Sequence, residues 1–430
     1  MTSITGTIDP IEEATSAVLS GQNVLVLGGA GVGKTVLQES LMMVLGSDTV
    51  PVASTGVAAL NVQGITAHRA FSLPFGIPTP KDYDNYLKKR SQTTKALFGK
   101  NHAVNRIQFD EIGMFRSDSF DFMDKSLKTI YKNNNPFGGL QMCLFGDLSQ
   151  IPPVVRSEEK QYLNQMFNGN YFFNTDAFKQ GNFKTIFLTE VKRQSDFEMK
   201  KHLNNIRVYG EHFSLQESLD YFNDNCVNKD IGDAGFIVTT HAVCDVVNNN
   251  EFNKLNTPII SFNAKIIGKF KDEPAPKHLR LRVGCRVMIL ANHPENKYVN
   301  GSTGIVVNLN SHNIVVQLDS GQVVDISEFN YSNYEYFTNK KGELDKKEVG
   351  NFVQFPIKLA WACNTHKVQG KTLDKAYVDM GRKVFAQGMT YVALSRLRTI
   401  EGLSLLRPLR KDDIIRDQEV INFYRMNGGI

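Results

Sequence analysis

Eight residues near the start of the chain, 28–35, read GGAGVGKT and fit the pattern Gly-x-x-x-x-Gly-Lys-Ser/Thr. An apolar run, 24–27, precedes them, and a helix-compatible stretch, 35–45, follows. Glycines at such a turn let successive N–H groups converge on phosphate oxygens at a helix N-terminus. The pattern therefore predicts a nucleotide site in which Lys34 reaches the β- and γ-phosphates and Thr35 holds Mg²⁺. The loop residues expected against the nucleotide are Gly28, Gly31, Val32, Gly33, Lys34 and Thr35.

An acidic pair, Asp110-Glu111, follows a second apolar run at 106–109. A pair of this kind in isolation is most often solvated surface charge. At the C-terminal end of a strand, in a chain that also has a phosphate loop, it is typical of a Mg²⁺ site. We therefore expect Asp110 to hold the metal and Glu111 to polarise the attacking water.

A polar turn at 146–154 follows the next apolar run, 142–145. Gln150 lies in this turn, at the edge of an open sheet where ligands bind. Its amide suits contact with a γ-phosphate, which would make Gln150 both a catalytic residue and a nucleotide ligand. A tight turn closed by Pro152 and Pro153 explains the segment equally well, so the residues alone leave both interpretations open.

The composition is that of an ordinary soluble protein. The 430 residues are 41% apolar and 22% charged, with a formal net charge of +5, and suffice for two or three domains. Five cysteines lack any Cys-x-x-Cys spacing, so neither a zinc site nor a disulfide framework is indicated. The first twenty residues lack a signal-peptide pattern, and no apolar run approaches the ~20 residues of a membrane span. We expect a cytoplasmic protein without membrane contact.

Short apolar runs alternate with helical stretches along most of the chain, which predicts α/β domains with parallel sheets. The alternation breaks twice, first in a polar, proline-containing stretch and later in short alternating segments typical of a small β-barrel. We predict two α/β domains with one insertion each. The first domain comprises 1–71 and 106–190 with its insertion at 72–105, and the second comprises 191–303 and 355–430 with the β unit at 304–354.

Further segments, read together with the phosphate loop, resemble the petite-integration-frequency (Pif) DNA helicases of superfamily 1. The likeness runs from Gly28 to Arg396 and covers most of the chain. The matching segments are 53–59, 64–68, 109–114, 136–141, 146–154, 188–194, 299–304, 365–370 and 391–396. Their combination in this order is far more selective than the phosphate loop alone.

The resemblance implies two RecA-like domains with ATP held between them. It implies that Arg193 and Arg396 act catalytically by reaching across to the γ-phosphate, because planar guanidinium groups suit charge spread over phosphoryl oxygens. Gln369, with Gly370 beside it, matches a position near the nucleotide that couples the second domain to ATP. Family members carry a Gln before the first helix that reads the adenine edge, but no Gln precedes Gln22 here. We therefore expect the site to accept other nucleoside triphosphates as well as ATP.

The resemblance also implies that a single DNA strand crosses both domains. Hydroxyl, imidazole and ammonium donors bind phosphates without reading sequence. The matching positions are Thr55, Gly56, Thr66 and His68 in the first domain, and Asn300, Thr365, His366 and Lys367 in the second. Judged alone, His68 is more often a structural histidine, and Asn300 equally suits a plain hairpin corner. Three phenylalanines that lie near these segments are expected in the core rather than on bases, namely Phe71, Phe75 and Phe115.

The function that the family implies is ATP-dependent 5′-to-3′ movement along single-stranded DNA with unwinding of duplex, the insertion at 72–105 acting as the wedge. ATP and Mg²⁺ are the expected cofactors. Single-stranded DNA and forked duplex DNA are the expected partners, with replication proteins such as a single-strand-binding protein. We expect a monomer in the cytoplasm of a bacterium or a phage-infected cell. Two alternatives stay open: a translocase that remodels protein–DNA complexes without opening duplexes, and a phosphotransferase for a small substrate. RNA also stays open as the track.

Overall fold

The computed structural model describes residues 9–73, 77, 92–99, 104–189, 196–208, 214–268, 273–291, 293, 295, 297–298, 302–338, 344–370 and 372–430. The α-helices within these ranges are α1 (Pro10–Leu19), α2 (Lys34–Leu45), α3 (Gly56–Asn61), α4 (Ala67–Phe71), α5 (Gln92–Phe98), α6 (Ser117–Tyr131), α7 (Ser157–Phe167), α8 (Asp176–Gln180), α9 (Phe197–Arg207), α10 (Leu215–Cys226), α11 (His241–Lys254), α12 (Thr365–Val368), α13 (Met389–Leu394) and α14 (Gln418–Met426). None of these described helices has the length and apolar content to cross a bilayer.

The strands fall into three groups along the chain. The first group is β1 (Val24–Gly28), β2 (Thr49–Ala53), β3 (Ile65–Thr66), β4 (Arg106–Asp110), β5 (Gln141–Gly146) and β6 (Lys184–Leu188). The second is β7 (Gly235–Val238), β18 (Ala362–Asn364), β19 (Ala376–Asp379) and β20 (Leu403–Leu405). Between them lie β8 (Ile260–Asn263), β9 (Lys265–Gly268), β10 (His278–Leu281), β11 (Arg286–Ile289), β12 (Thr303–Leu309), β13 (Ile314–Leu318), β14 (Val323–Ile326), β15 (Phe329–Thr338), β16 (Leu344–Gln354) and β17 (Ile357–Leu359).

The first group forms a parallel sheet in the order β3-β2-β4-β5-β1-β6. Strand β1 lies between β5 and β6, so Val24 pairs with both Cys143 and Lys184. Every residue of β1 is buried, as expected for a parallel strand covered on both faces. Because parallel strands end at a common edge, the loops that follow β1, β4 and β5 meet there. The predicted α/β class and the predicted strands of this sheet are confirmed.

Local signals explain where the first helix begins. The Asp9 side chain accepts the N–H of Ile11 at 3.0 Å, and Pro10 occupies the first helical position. Pro at this position loses no helical hydrogen bond, and the Asp caps an otherwise unpaired donor. These two residues therefore set the start of the helix.

An aromatic cluster fills the core of the first domain. The Phe120 ring lies 5.5 Å from Phe137 and 5.5 Å from Phe172, and Phe115 lies 4.8 Å from Phe109. Phe71 and Phe115 are only 1% and 2% exposed, which confirms that both pack in the core. Phe75 lies outside the described residues.

The second group of strands forms another parallel sheet, in the order β18-β7-β19-β20. Its core includes buried side chains from α9, α10 and α13, among them Leu203, Phe222 and Val392. This sheet is the second α/β domain that the sequence predicts.

The antiparallel unit is larger than the predicted segment 304–354. Its largest sheet has the order β14-β13-β12-β11-β17, and a second has the order β15-β16-β9. Strands β9, β11 and β17 lie outside 304–354 and pair within these two sheets. Strand β11 was missed because all four of its residues are buried, which removes the alternation that marks a half-buried strand.

The C-terminal helix α14 packs in the core of the first domain. Phe423 stacks on Phe173 at 4.4 Å between ring centroids, and the Tyr424 ring lies 5.5 Å from Phe187. Val420, Phe423 and Tyr424 all belong to the core that contains β4 and β5. The helix lies in the segment 355–430 that was predicted for the second domain, and its amphipathic pattern does not specify which core it covers.

Helix α5 is the main part of the 72–105 insertion that the structure describes. Phe98 of α5 stacks on Phe71 of α4 with ring centroids 5.2 Å apart. The helix also lies beside β15 of the antiparallel unit. The insertion of the first domain thus meets the insertion of the second.

Candidate functional site

The phosphate loop joins the end of β1 to the start of α2. Gly28 is the last residue of β1, and Val32 is buried. Gly31 and Gly33 have φ values of +78° and +93°, in the left-handed region that favours glycine. The loop therefore has the backbone shape that directs N–H groups toward a bound anion at the helix start.

Lys34 lies inside this loop. Its ammonium donates to the carbonyl oxygens of Gly28 at 2.7 Å and Gly29 at 2.9 Å. Burial lowers the pKa of Lys34, and the nearby charges of Asp147 and Glu111 oppose that shift. The ammonium thus lies among acidic side chains at the common edge of the sheet.

The predicted acidic pair lies at the end of β4, next to the loop. Burial and the charge of Asp110 raise the pKa of Glu111 to about 7, against the opposing charge of Lys34. Burial likewise raises the pKa of Asp110, while Gln38 and Lys34 act against the shift. Glu111 also has a left-handed φ of +52°, which sets the turn into the helical segment Ile112–Met114.

The residues near Asp110 fit a magnesium ion. Asp110 offers a half-buried carboxylate, and the exposed Thr35 offers a hydroxyl on the first turn of α2. The buried amide of Gln38 lies beside Asp110. Hard oxygen donors of this kind, completed by water and phosphate, are the ligands that Mg²⁺ prefers.

Gln150 connects the two domains through its side-chain amide. Its Nε2 donates to Asp147 Oδ2 at 3.1 Å, and its Oε1 accepts from Gln369 Nε2 at 3.0 Å. Gln150 and Gln369 are 5% and 9% exposed. Gly370 follows as an exposed residue with φ +77°. The predicted nucleotide ligands Gln150 and Gln369 therefore contact each other directly.

Asp147, which accepts from Gln150, also forms a buried ion pair with Arg207. Arg207, the last residue of α9, donates from Nε to Asp147 Oδ1 at 3.0 Å and from Nη2 to the Tyr424 hydroxyl at 2.9 Å. Although burial opposes ionisation, the charges of Arg207 and Lys34 hold the pKa of Asp147 below its usual value. The side chain of Asp147 is 0% exposed and that of Arg207 is 10% exposed.

Tyr391 contributes a further contact between the domains. The N–H of Ala30 in the phosphate loop donates to the Tyr391 hydroxyl oxygen at 2.8 Å. Tyr391 lies on α13, which packs in the second core. The phosphate loop is thus bonded to the second domain through its own backbone.

The structure describes one of the two predicted arginines, Arg396. Arg396 is 1% exposed and donates to residues at the end of the preceding helix α13, from Nε to the Val392 carbonyl at 3.0 Å and from Nη2 to Ser395 Oγ at 2.8 Å. Its positive charge nevertheless reaches Glu111, where it opposes the rise in pKa that burial causes. Arg193 lies outside the described residues.

The predicted DNA contacts of the first domain follow strand ends. Thr55 and Gly56 lie where α3 begins after β2, and the Thr55 hydroxyl accepts the N–H of Ala58 at 3.2 Å. Thr66 ends β3 and precedes α4 without capping it, and His68 is exposed on α4. These residues bring helix N-termini and polar side chains to one edge of the sheet, where phosphate groups are readily bound.

The residues predicted to contact DNA in the second domain include one that is buried and one that lies outside the described residues. Thr365 is 0% exposed and its hydroxyl donates to the Val238 carbonyl at 3.1 Å. This hydroxyl joins α12 to β7 in the structure described here, and the contact of Thr365 with DNA stays a prediction. His366 and Lys367 lie on the same helix, and Asn300 lies outside the described residues.

Four residues of the site were not identified as functional from the sequence, namely Asp147, Arg207, Tyr391 and Tyr424. Asp147 and Tyr391 lie inside segments that carry the family resemblance, so their position in the motif was an available signal. Arg207 and Tyr424 lie at or near the ends of helices outside those segments, and no spacing links them to Asp147.

Comparison with known proteins agrees with this geometry. A family model described as PIF1-like helicase matches residues 5–212. ATP-dependent DNA helicase Pif1 of Bdellovibrio bacteriovorus is 29% identical over 425 residues, which cover 96% of this chain and 90% of that protein. The crystal structure of Bacteroides sp Pif1 in complex with ADP-AlF4 is 34% identical with a TM-score of 0.85, covering 100% of this chain and 99% of that one.

The chain belongs to the PIF1-like helicase family. Another structure from the family, Bacteroides Pif1 bound to ssDNA, is 33% identical with a TM-score of 0.73 over 99% of this chain and 97% of that one. The arrangement described here is thus more similar to the ADP-AlF4 complex than to the ssDNA complex. The two RecA-like domains expected of the family correspond to the two parallel sheets.

Proposed function

We propose that this chain is an ATP-dependent DNA helicase that moves 5′ to 3′ along a single strand and unwinds duplex DNA. The observation that carries the proposal is the row of hydrogen bonds from Gln369 through Gln150 and Asp147 to Arg207. This row joins the two parallel-sheet domains beside the phosphate loop. A nucleotide bound there would alter contacts between the domains, as a motor protein requires.

The first domain supplies the groups that act on the phosphates. Lys34 lies where it can exchange the carbonyl oxygens of Gly28 and Gly29 for phosphate oxygens. Thr35 and Asp110 would hold Mg²⁺, which when bound neutralises charge on the phosphate oxygens. Glu111 would accept the proton of the attacking water, and the adjacent Lys34 favours its charged form.

The second domain would complete the site. Gln150 has two amide N–H groups and uses one for Asp147, so the other is available to a γ-phosphate oxygen. Gln369, bonded to the same amide, would transmit that contact to the second domain. Arg396 would turn from the end of α13 toward the phosphate, joined by Arg193 from the segment that follows β6.

The DNA strand would cross the edge where the short helices begin. Thr55, Gly56, Thr66 and His68 would bind phosphates in the first domain, with Asn300, His366 and Lys367 in the second. Helix N-termini of this kind recognise the backbone and not the bases. The insertion at 72–105, whose helix α5 lies beside β15, would separate the strands at a fork.

The proposal also covers the oligomeric state, the compartment and the partners of the protein. We propose a monomer that works in the cytoplasm of a bacterium or a phage-infected cell on forked DNA, alongside a single-strand-binding protein. The five cysteines are free, which suits a reducing compartment. The family resemblance favours ATP as the main substrate. Hydrolysis of the other nucleoside triphosphates should be measured beside it.

Unwinding of duplexes that carry either a 5′ or a 3′ single-stranded tail tests this function directly. With ATP and Mg²⁺, we expect strand separation on the 5′-tailed substrate and little on the 3′-tailed one. Reactions without nucleotide are the control. Stimulated ATP hydrolysis without strand separation on either tail would instead favour a translocase that remodels protein–DNA complexes, and no stimulation by single strands would favour a small-molecule phosphotransferase.

A further inference from the structure

The hydroxyl of Tyr391 lies at the surface of the phosphate loop although its helix belongs to the second domain. It accepts the Ala30 N–H at 2.8 Å and the residue is 5% exposed. A Cβ atom placed on Gly29 would lie only 2.9 Å from this oxygen. The loop and the hydroxyl are therefore in close contact, with no room for a side chain between them.

The hydrogen bonds of this hydroxyl are incomplete. A tyrosine hydroxyl can accept hydrogen bonds and also donates one. Tyr391 accepts from Ala30, but among the described residues we find no acceptor for its own proton. Burial raises the pKa of Tyr391 to about 12, so the proton stays on the oxygen at neutral pH. A buried donor without a partner is unfavourable and is satisfied when an acceptor arrives.

The surroundings favour an anionic acceptor. Lys34 bonds to the carbonyl of Gly29, the residue next to Ala30. The Arg207 side chain passes 3.5 Å from the Cβ position of Gly29. Arg396 is close enough to Tyr391 to affect its pKa. Asp147 has the largest charge effect on Tyr391, but it is already paired with Arg207. Lys34, Arg207 and Arg396 supply the positive charges near an incoming anion.

We propose that Tyr391 is a nucleotide-contacting residue whose hydroxyl donates to a γ-phosphate oxygen while it accepts from Ala30. The inference rests on the proposed function, because it concerns the same nucleotide. The γ-phosphate is the part concerned because it is the end of the nucleotide that lies between the domains, where Gln150 meets Gln369. Tyr391 would then distinguish ATP from ADP and report the terminal phosphate to the second domain.

The test is equilibrium binding of a non-hydrolysable ATP analogue and of ADP, each with Mg²⁺, to the whole chain and to Tyr391→Phe. The substitution removes only the hydroxyl. We expect the ATP analogue to bind about 10-fold more weakly, as for a lost hydrogen bond to a charged group, and ADP to change less than about 2-fold. The kcat of DNA-stimulated hydrolysis should fall as well.

Tyr171→Phe is the matched control. The Tyr171 hydroxyl bonds to Gln387 and Asp417 at 3.0 Å each, so this variant also removes a buried hydroxyl from contact with the C-terminal segment. We expect it to leave both nucleotide affinities unchanged. A selective loss in Tyr391→Phe alone therefore identifies a phosphate contact and not a loosened interface.

Gly29→Ala provides a second variant if Tyr391→Phe does not fold. Its methyl group would displace the Tyr391 hydroxyl, so it should also weaken the ATP analogue more than ADP. In a chain that already carries Tyr391→Phe, the same change should add little, because both act on one contact.

Three results would overturn the proposal. Tighter binding of both nucleotides to Tyr391→Phe would mean that the hydroxyl only blocks the empty loop. Equal weakening of both would mean that it only shapes the loop, and unchanged binding would exclude the contact. DNA-stimulated hydrolysis by the unaltered chain, measured in parallel, decides the proposed function separately from any of these results.

Discussion

The cluster around the phosphate loop and the edge proposed for DNA differ in how their polar groups are satisfied. In the cluster, Asp147 and Gln150 are 2% and 5% exposed and bond to side chains of the second domain. At the edge, Gly56 is exposed, and Thr66 makes no capping bond. Phosphoryl transfer needs groups held in place by each other away from water, whereas sequence-independent DNA binding needs donors left open. Substitutions in the cluster should therefore cause large losses and those at the edge graded ones.

The largest effect is expected for Lys34→Ala. Removing the ammonium takes away the positive charge that the loop offers to phosphate, so ATP hydrolysis should fall to background while single-strand binding is largely kept. Lys125→Ala, which removes an exposed lysine that is paired with Asp121 on α6, is the control and should leave hydrolysis unchanged. Full hydrolysis by Lys34→Ala would show that the loop is not the nucleotide site.

Arg207→Met should give the next largest effect, on stability and on hydrolysis together. It leaves Asp147 as a buried, unpaired carboxylate, which typically costs about 3–5 kcal/mol of unfolding free energy. Adding Asp147→Asn should restore part of that loss, as measured by urea denaturation. The exposed pair Lys201–Glu198 is the matched control, and Lys201→Met should cost less than about 1 kcal/mol. An equally small effect of Arg207→Met would mean that the pair does not join the domains.

A pair of threonine substitutions gives the smallest effects and sharpens the contrast between cluster and edge. Thr365→Val removes a buried hydrogen bond to Val238 and should cost about 1 kcal/mol of stability without changing single-strand affinity. Thr66→Val should do the reverse, weakening single-strand binding a few-fold, roughly the effect of one hydrogen bond, with stability unchanged. Binding titrations at two salt concentrations measure the affinities, which should fall with salt in both variants. Weaker DNA binding by Thr365→Val would instead support the predicted DNA contact of that residue.

Much of the fold could be predicted because its signals are local. The phosphate loop, α1 and α6 each have a cap, a glycine pattern or an amphipathic stripe within a few residues. Strand β11 lacked such a signal because it is buried on both faces. The position of α14 on the first core was also out of reach, since its apolar stripe is compatible with either domain.

The candidate site likewise contains residues with a local sequence signal and residues without one. Lys34, Asp110, Glu111 and Gln150 could be predicted because each lies at the end of a strand, or in the loop after it, at the common edge of the sheet. Arg207 could not, because it is 60 residues from Asp147 in sequence and meets it only when the domains pack together. The hydrogen bond of Thr365 to β7 could not be predicted either, because a motif indicates where a residue lies but not where its hydroxyl points.

The most direct test of a nucleotide site shared by two domains is a structure with ADP, aluminium fluoride, Mg²⁺ and single-stranded DNA bound. The measured quantity is the distance from the guanidinium groups of Arg193 and Arg396 to the fluoride that replaces the γ-phosphate. We predict closed domains with both groups at about 3 Å, Arg396 having left the Val392 carbonyl. Closed domains with Arg396 still bonded to the end of α13 and Arg193 turned away would contradict the account.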